Sequence, residues 1–224
     1  MVEHAVVIVA GGSGSRMKSK VPKQFIRVDG VPIIIHSIKK FLLFDPSIQV
    51  IVVLPASDKA YFSDIWGEQE ANILLLLADG GTTRYQSVQN GLQYVNAKIV
   101  AIHDAVRPCV SIDTIQRCFN AAKEFGSGIP VAQVADSIRK VENDKRSIAL
   151  NRSLLRSVQT PQVFETMAIK NAAKQVEKDV FTDDASVFES AGHCVHLVEG
   201  NSENIKITTP TDLFIAQHYL TKTV

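Results

Sequence analysis

The chain has 224 residues, of which 46 % are hydrophobic, so it can bury one substantial core, and we predict a single domain over 1–224. Its 24 Lys and Arg nearly balance its 23 Asp and Glu, which argues against nucleic acid as the main partner and favours a small ligand. Its apolar runs are too short for a membrane-spanning helix, which needs roughly 20 residues, and no signal-peptide pattern is present, so we expect a cytoplasmic protein without membrane partners.

Short β-rich runs alternate with longer amphipathic stretches, which is the pattern of a parallel sheet flanked by helices and predicts an α/β fold. Strands are predicted over residues 5–9, 50–54, 73–78, 99–103 and 129–134. Helices are predicted from Pro32, with Ile34, Ile38 and Phe41 on one face, and over residues 83–95, 111–125 and 211–220. The cysteines Cys109, Cys118 and Cys194 are odd in number and form no CxxC pair, so we expect reduced thiols.

One segment, 134–164, breaks this alternation because it has two extended-looking halves around the polar sequence ENDKR. It predicts a β-hairpin arm at about 134–158. Such an arm cannot bury its own apolar face, so it could pack on a second copy of the chain, and two-fold dimers are the commonest oligomers. An ordinary surface hairpin is an equally open alternative.

A glycine-rich turn follows the first predicted strand, in the sequence AGGSGSRMKSKVPKQF. Gly11, Gly12 and Gly14 let the backbone turn tightly and bring its N–H groups close to a ligand, which suits a phosphate. The dinucleotide fingerprint fails because its third glycine position is Met17, and the Walker pattern fails because no GK[ST] closes the loop.

Cations stand beyond these glycines, among them Arg16 and Lys23. Guanidinium and ammonium groups placed beyond a cradle of N–H groups suit a polyphosphate whose charge must be held while a bond breaks. For the loop considered alone, a glycine turn with a solvated basic face is the alternative.

Further blocks follow in chain order, namely DGGTTRYQSVQNGL, HDAVRP, QTPQVF, TDDASVFE and NIKITTPTDL. Together with the glycine-rich turn they resemble the 2-C-methyl-D-erythritol 4-phosphate cytidylyltransferases, and they cover nearly the whole chain. The resemblance implies a Rossmann-like, mostly parallel sheet with a protruding hairpin arm that forms a homodimer. It also implies that CTP and the methylerythritol phosphate, a polyol phosphate, give a CDP-alcohol and pyrophosphate in non-mevalonate isoprenoid synthesis. A divalent metal, usually Mg²⁺, is implied as well, with ligands that the sequence leaves unknown.

The implied reaction needs charge rather than proton transfer. A phosphate oxygen that is already anionic attacks the α-phosphorus of CTP, so no general base is required, and the protein must align two anions and neutralise the charge on the leaving pyrophosphate. By resemblance, Arg16 and Lys23 contact the triphosphate, whereas Lys206 and Arg152 place the substrate phosphate, with Arg152 reaching a neighbouring subunit if the arm crosses to it. On a strand, Lys206 would point away from a core that holds Ile205 and Ile207.

The remaining candidates come from the same resemblance. It implies CTP binding by Ala10, Gly11, Gly12, Gly14, Gly81, Ser87 and Ala105. It implies substrate binding by Asp104, Arg107, Ser137, Thr160 and Thr182. Asp104 follows a strand, at the sheet edge where ligands bind, and could bind substrate hydroxyls, help to hold the metal, or simply cap a turn.

Neighbouring residues have plainer interpretations. His103 has nothing to deprotonate in this chemistry, so we expect it to be structural. We expect Asp183 and Asp184 to begin a helix, where carboxylates complement the dipole. The alternative for the DGGTTRYQSV block is a simple loop and helix N-terminus with Arg84 on its surface.

Two positions depart from the family pattern. Ser137 stands where the family often has threonine, and Thr82 where some members have aspartate.

Three alternative functions stay open. Ribitol-5-phosphate cytidylyltransferases share the fold and several blocks. A non-catalytic nucleotide-binding regulator would be expected to lack one of the four cations, and nucleotidyltransferases that use UTP or GTP with a sugar 1-phosphate lack the QTPQ and NIKITTP blocks together.

Overall fold

The computed structural model describes residues 1–11, 21–67, 73, 75–143 and 146–221. Its strands are β1 (Val2–Val9), β2 (Arg27–Val28), β3 (Val31–Pro32), β4 (Gln49–Leu54), β5 (Leu75–Asp79), β6 (Ala97–Asp104), β7 (Ser127–Gln133), β8 (Ile138–Asn143), β9 (Arg146–Leu150), β10 (Arg156–Val158), β11 (Gln162–Glu165) and β12 (Leu197–Glu199). Its α-helices are α1 (Ile33–Phe44), α2 (Lys59–Gly67), α3 (Arg84–Gln93), α4 (Ile112–Phe125), α5 (Thr166–Ala172), α6 (Asp184–Ser190) and α7 (Pro210–Thr221).

A central eight-stranded sheet has the order β10-β7-β11-β6-β1-β4-β5, with β12 beside β7. Strand β1 pairs in parallel with both β4 and β6, and β4 pairs in parallel with β5. Strand β11 joins the sheet antiparallel to β6 and β7. Val9 lies opposite both Val53 and Asp104, so the carboxyl ends of β1, β4 and β6 meet at one edge.

Both faces of this sheet are covered because β1 is apolar on both sides. Val6 and Ile8 belong to the core shared with α1 and α4, whereas Ala5 and Val7 belong to the core shared with α3 and α5. Successive strand side chains point to opposite faces, so a strand buried between two helical layers appears as a continuous apolar run. The predicted α/β class with a mostly parallel sheet is thereby confirmed.

The predicted elements are present, with shifted ends. The strand predicted over residues 73–78 is β5, which begins at Leu75. Pro32 ends a short strand, and the helix begins at Ile33. The helices predicted from 83 and 111 begin one residue later because Thr83 and Ser111 cap them, their hydroxyls accepting the N–H groups three residues on at 3.1 Å.

The hairpin is present as β8 and β9, which pair in antiparallel fashion. This hairpin covers fewer residues than the predicted arm of about 134–158, because Arg156–Val158 forms β10 and pairs with β7 in the central sheet. Apolar side chains are exposed along the segment, including Val141 at 71 % and Leu154 at 80 %. Its use in dimerisation stays a prediction.

The cysteines match their expected state. All three are free; Cys109 and Cys118 are buried and Cys194 is exposed. Burial raises the pKa of the Cys109 thiol to about 11 and raises that of Cys118 further, so both are inert packing thiols. Within the described ranges, no helix is long and apolar enough to cross a membrane.

Candidate active site

A cleft of about 430 Å³ opens at the sheet edge where β1 and β6 end. Its described lining is Val9, Ala10, Gly11, Lys23, Gln24, Gly81, Thr82, Thr83, Arg84, Ser87, Asp104, Val106 and Lys206. The volume lies within the range of small-molecule sites. The cleft therefore brings together seven of the candidates: Ala10, Gly11, Lys23, Gly81, Ser87, Asp104 and Lys206.

One side of the cleft is the loop between β5 and α3, which is held by its own hydrogen bonds. The Gly81 N–H donates to Ser87 Oγ at 3.0 Å, and that hydroxyl donates to the Thr83 carbonyl at 2.8 Å. A Cβ at Gly81 would overlap the Gln86 side chain, and one at Gly11 would lie 3.3 Å from Ser87 Oγ. Glycines at these positions thus let the segment that follows β1 lie close to the loop between β5 and α3.

The opposite side centres on Asp104, which three cations surround. Lys206 Nζ lies 2.8 Å from its Oδ2, Arg84 Nε 3.4 Å from its Oδ1, and Arg107 Nε 3.7 Å from its Oδ2. Burial alone would raise the pKa of Asp104, but the three cations hold it well below its ordinary value. The carboxylate is ionised at neutral pH, and the cleft carries a surplus of positive charge around it.

Behind Asp104, a chain of hydrogen bonds runs through His103. Thr160 Oγ1 accepts the Asp104 N–H at 3.1 Å, and its own O–H donates to His103 Nδ1, also at 3.1 Å. The other ring nitrogen, Nε2, then donates to the Arg107 carbonyl at 3.1 Å, an assignment of ring protons that follows from these partners. Burial lowers the pKa of His103 to about 4, so the ring is neutral and structural, as expected.

Lys206 lies in a segment without regular secondary structure, whereas its orientation was predicted for a strand. The segment is held by the Ile207 N–H, which donates to the Val106 carbonyl at 2.9 Å, and by Arg107, which donates to the Asn204 carbonyl at 2.7 Å. The predicted alternation is nevertheless present: Ile207 is fully buried, whereas the Lys206 side chain is 42 % exposed and faces the cleft.

Other candidates lie beside the cleft. Ala105 is fully buried between lining residues, with its N–H donated to the Val9 carbonyl and its own carbonyl accepting Ser37 Oγ. Thr160 is buried behind Asp104, and Arg107 approaches Oδ2 of Asp104, whereas Arg84 approaches Oδ1. Thr182 is exposed just before α6.

The arm residues stand apart from the described lining of this cleft. Arg152 and Ser137 are both exposed, and Arg152 Nη1 donates to the Ala135 carbonyl within its own segment. Gly12, Gly14 and Arg16 lie outside the described residues.

Sequence reasoning missed Arg84, which is a lining residue rather than a plain surface side chain. Its guanidinium contacts Asp184 at 2.7 Å as well as Asp104. Asp183 caps α6 as predicted, accepting the Ser186 N–H at 2.9 Å, but Asp184 points to Arg84. The two partners are 100 positions apart, so no local pattern could have paired them.

Metal ligands are not gathered in a cluster within the part of the chain that the structure describes, where no group of three or more His, Cys, Asp and Glu could hold an ion. Asp104 is the carboxylate that lines the described cleft. Three cations already contact the Asp104 carboxylate, so it does not fit the role of a Mg²⁺ ligand, although magnesium bound through nucleotide phosphates typically needs only one or two protein carboxylates.

Known proteins resemble this chain over nearly its whole length. The model of the IspD family, 2-C-methyl-D-erythritol 4-phosphate cytidylyltransferase, matches residues 4–222. A protein of that name from Bacteroides thetaiotaomicron is 44 % identical over 220 residues, which cover 98 % of this chain and 100 % of the relative. Another from Phocaeicola vulgatus is 46 % identical over 213 residues, covering 95 % and 97 %.

Solved structures agree with these relatives. The crystal structure of the 4-diphosphocytidyl-2C-methyl-D-erythritol synthase of Anaerococcus prevotii has a TM-score of 0.85 at 26 % identity, covering 98 % of this chain and 99 % of that one. The crystal structure of 2-C-methyl-D-erythritol 4-phosphate cytidylyltransferase from Thermus thermophilus has a TM-score of 0.74 at 29 % identity, covering 97 % and 98 %. Sequence blocks, sheet order and cleft all lead to one conclusion: this chain belongs to the 2-C-methyl-D-erythritol 4-phosphate cytidylyltransferase family.

Proposed function

We infer that the chain transfers the cytidylyl group of CTP to 2-C-methyl-D-erythritol 4-phosphate, giving the CDP-alcohol and pyrophosphate in non-mevalonate isoprenoid synthesis. The observation that carries this function in the structure is the cation-rich cleft, which Lys23, Lys206 and Gly11 line at the carboxyl edge of the sheet. Two anions must meet there, and lysines lower the free energy of bringing them together.

The bond changes need no acid or base from the protein. An oxygen of the acceptor phosphate bonds to the α-phosphorus of CTP, and the bond from that phosphorus to the bridging oxygen of the β-phosphate breaks with its electron pair. Pyrophosphate leaves with the charge that this pair brings. Neutral, buried His103 is consistent with a site that moves no proton.

We assign Lys23, Arg16 and Gly11 to the triphosphate, and Gly81 and Ser87 to the cytosine. In support, Lys23, Gly11 and Gly81 line the same cleft. Ala10 and Ser87 line the same side, and the backbone of Ala105 is adjacent. Gly12 and Gly14 complete the proposed cradle.

We assign Lys206 to the acceptor phosphate and Asp104 to acceptor hydroxyls, with Arg107, Thr160 and Thr182 as further acceptor-binding residues. Lys206 is half-exposed and makes its contact with Asp104 from the open side of the cleft. An arriving phosphate can therefore take this ammonium group in place of the carboxylate.

Mg²⁺ is the proposed cofactor, and it would supply charge neutralisation on the phosphates of CTP. Its protein ligands are not assigned, because Asp104, the carboxylate of the described lining, is already contacted by three cations. The expected outcome is that EDTA abolishes pyrophosphate release and that added Mg²⁺ restores it; full activity in EDTA would overturn this assignment.

A homodimer formed through the hairpin arm is a further proposal. It is supported by the exposed apolar side chains of the arm and by the position of Arg152 and Ser137 outside the described lining of their own cleft. In a dimer, those two side chains would serve the partner's acceptor site. A cytoplasmic location without nucleic-acid or membrane partners remains a prediction from the sequence.

The experiment that tests the proposed function is pyrophosphate release from CTP, UTP, ATP and GTP, each offered with 2-C-methyl-D-erythritol 4-phosphate or ribitol 5-phosphate. The expected result is release from CTP with the methylerythritol phosphate. Preference for ribitol 5-phosphate would assign the alternative acceptor, and no turnover of CTP with either acceptor would overturn the function.

A further inference from the structure

A bidentate ion pair beside the cleft joins the amino-terminal residues of two helices, α3 and α6. Arg84, the first residue of α3, donates from Nη1 to Asp184 Oδ1 at 3.0 Å and from Nη2 to Asp184 Oδ2 at 2.7 Å. Asp184 is the first residue of α6, and its side chain is only 4 % exposed. Paired, parallel N–H···O bonds fix the guanidinium plane as well as its position.

The third nitrogen of the same guanidinium points to the acceptor side. Arg84 Nε lies 3.4 Å from Asp104 Oδ1, while Lys206 Nζ takes the other oxygen, Oδ2, at 2.8 Å. The carboxylate of Asp104 is therefore held from two sides by cations that belong to different segments. The orientation of Arg84 that makes this possible is set by Asp184.

The charges of this group are mutually dependent. Burial raises the pKa of Asp184, with Arg84 opposing that effect. Burial would lower the pKa of Arg84, but the carboxylates of Asp184 and Asp104 raise it above its ordinary value. Removal of the Arg84 guanidinium would leave the buried carboxylate of Asp184 without its bidentate cation, and Asp104 would lose one of its cations.

The nucleotide side of the cleft is held without the Arg84 side chain. The bonds of the loop run from the Gly81 N–H to Ser87 Oγ and from the Thr82 N–H to Gln86 Oε1, each at 3.0 Å. A substitution of Arg84 should therefore act on the acceptor side and leave the loop that faces the nucleotide in place.

We propose that Arg84 is a positioning residue for the acceptor phosphate: anchored by Asp184, it fixes and partly neutralises Asp104, so that Lys206 is free to turn to the phosphate. Without Arg84, the Asp104 carboxylate is less neutralised and attracts the Lys206 ammonium group more strongly. The acceptor phosphate then binds more weakly, because it must displace Lys206 from a stronger ion pair. This role rests on the proposed function of the cleft.

The test compares Arg84→Gln with the double variant Arg84→Gln/Asp184→Asn. Arg84→Gln should raise the KM for 2-C-methyl-D-erythritol 4-phosphate roughly tenfold or more, as for loss of a hydrogen bond to a charged group, with the KM for CTP close to wild type. Its melting temperature should fall because Asp184 is left buried without a cation. In the double variant the melting temperature should recover, since that charge is gone, whereas the acceptor KM should stay raised.

The control is Arg117→Gln, which removes a partly buried arginine that donates to the Glu199 carbonyl and to Thr114, away from the cleft. It should leave both KM values unchanged. An acceptor KM that recovers together with the melting temperature would show a purely structural Arg84 and overturn the proposal, as would an unchanged acceptor KM in both variants. Wild type is assayed in parallel, so that its failure to turn over CTP would count against the function itself.

Discussion

At the scale of single residues, the pairing of Asp104 with Lys206 is the contact on which the acceptor side depends. Asp104 is 10 % exposed and Lys206 is 42 % exposed, so the carboxylate is fixed in the wall of the cleft and the ammonium group lies at its open side. The long lysine side chain has rotamers that can move its charge by several ångströms at little cost. The ion pair with Asp104 therefore keeps the Lys206 ammonium group in the cleft, where it can bind the acceptor phosphate.

We expect Lys206→Ala to lower kcat/KM for the acceptor roughly 100-fold, or about 3 kcal/mol, because one preorganised charge on the reacting phosphate is lost. Steady-state kinetics at varied 2-C-methyl-D-erythritol 4-phosphate measure this value. Lys98→Ala is the matched control, since Lys98 also makes a 2.8 Å ion pair, with Glu3, but near the amino end of β6. Equal kinetics in the two variants would contradict the role of Lys206.

His103 makes stability depend on pH in a defined window. Burial lowers its pKa from 6.5 to about 4, so between those values the unfolded chain binds a proton that the folded chain does not. The contribution of His103 to stability is therefore full above pH 6.5 and decreases as the pH falls toward 4, by about 2 to 3 kcal/mol.

The variant His103→Asn should lack this contribution, because an amide does not titrate. Urea unfolding at pH 7 and 4.5 would show a smaller loss of stability on acidification in His103→Asn than in the wild type. His218→Asn, on the exposed side of α7, should behave like the wild type. The same pH dependence in His103→Asn and in the wild type would count against a buried, neutral ring.

At the scale of elements, α3 carries much of the nucleotide side, and Gly91 lets it lie close to the sheet. A Cβ on Gly91 would stand 2.5 Å from Val7 Cγ1 and 2.8 Å from Val53 Cγ2. Both valines are fully buried in β1 and β4, so neither has room to move. The position of Ser87 and of the turn at Gly81 therefore depends on this close contact.

We expect Gly91→Ala to destabilise the fold by roughly 1–3 kcal/mol, since overpacking outweighs the gain of about 1 kcal/mol in helix propensity. Denaturant unfolding measures the change. Gln93→Ala, at an exposed position of the same helix, should stay near wild-type stability. A stabilised Gly91→Ala variant would show that α3 sits farther from the sheet than described.

The sequence predicted elements well where a local pattern is enough. The apolar run at 5–9 became β1, and Ser111 placed the start of α4 to within a residue. Prediction from the sequence failed where contacts with distant segments decide the local structure. Arg156–Val158 joins the sheet because β7 offers it a partner, and the segment of Lys206 is held by Val106 and Arg107 instead of forming the predicted strand. The Arg84–Asp184 pair had no local signal at all.

At the scale of the whole molecule, the cleft lies where the order in which the chain adds strands to the sheet reverses. From β1 the chain builds β4 and β5 on one side, then returns to place β6 on the other side of β1. Loops that leave neighbouring strands in opposite directions open a crevice between them, and this is where open α/β sheets bind ligands. Gly11 and Asp104 face that crevice because they follow β1 and end β6.

If the arm completes a neighbouring site, activity should return when two inactive variants are mixed. Arg152→Ala and Lys23→Ala, allowed to exchange subunits, should give about a quarter of wild-type activity, because half of the dimers are mixed and each has one intact site. Pyrophosphate release before and after exchange measures this, with each variant alone as the baseline. Activity that never exceeds the two baselines would place Arg152 outside the partner's site.

The most direct test of the whole account is pyrophosphate release by the wild type and by Lys23→Ala, with CTP in the presence and absence of 2-C-methyl-D-erythritol 4-phosphate. We predict that the wild type releases pyrophosphate only when the acceptor is present. We also predict that Lys23→Ala lowers turnover roughly 100-fold, or about 3 kcal/mol, because Lys23 no longer neutralises the leaving group. Near-wild-type turnover by Lys23→Ala, or release that does not depend on the acceptor, would contradict cytidylyl transfer in this cleft.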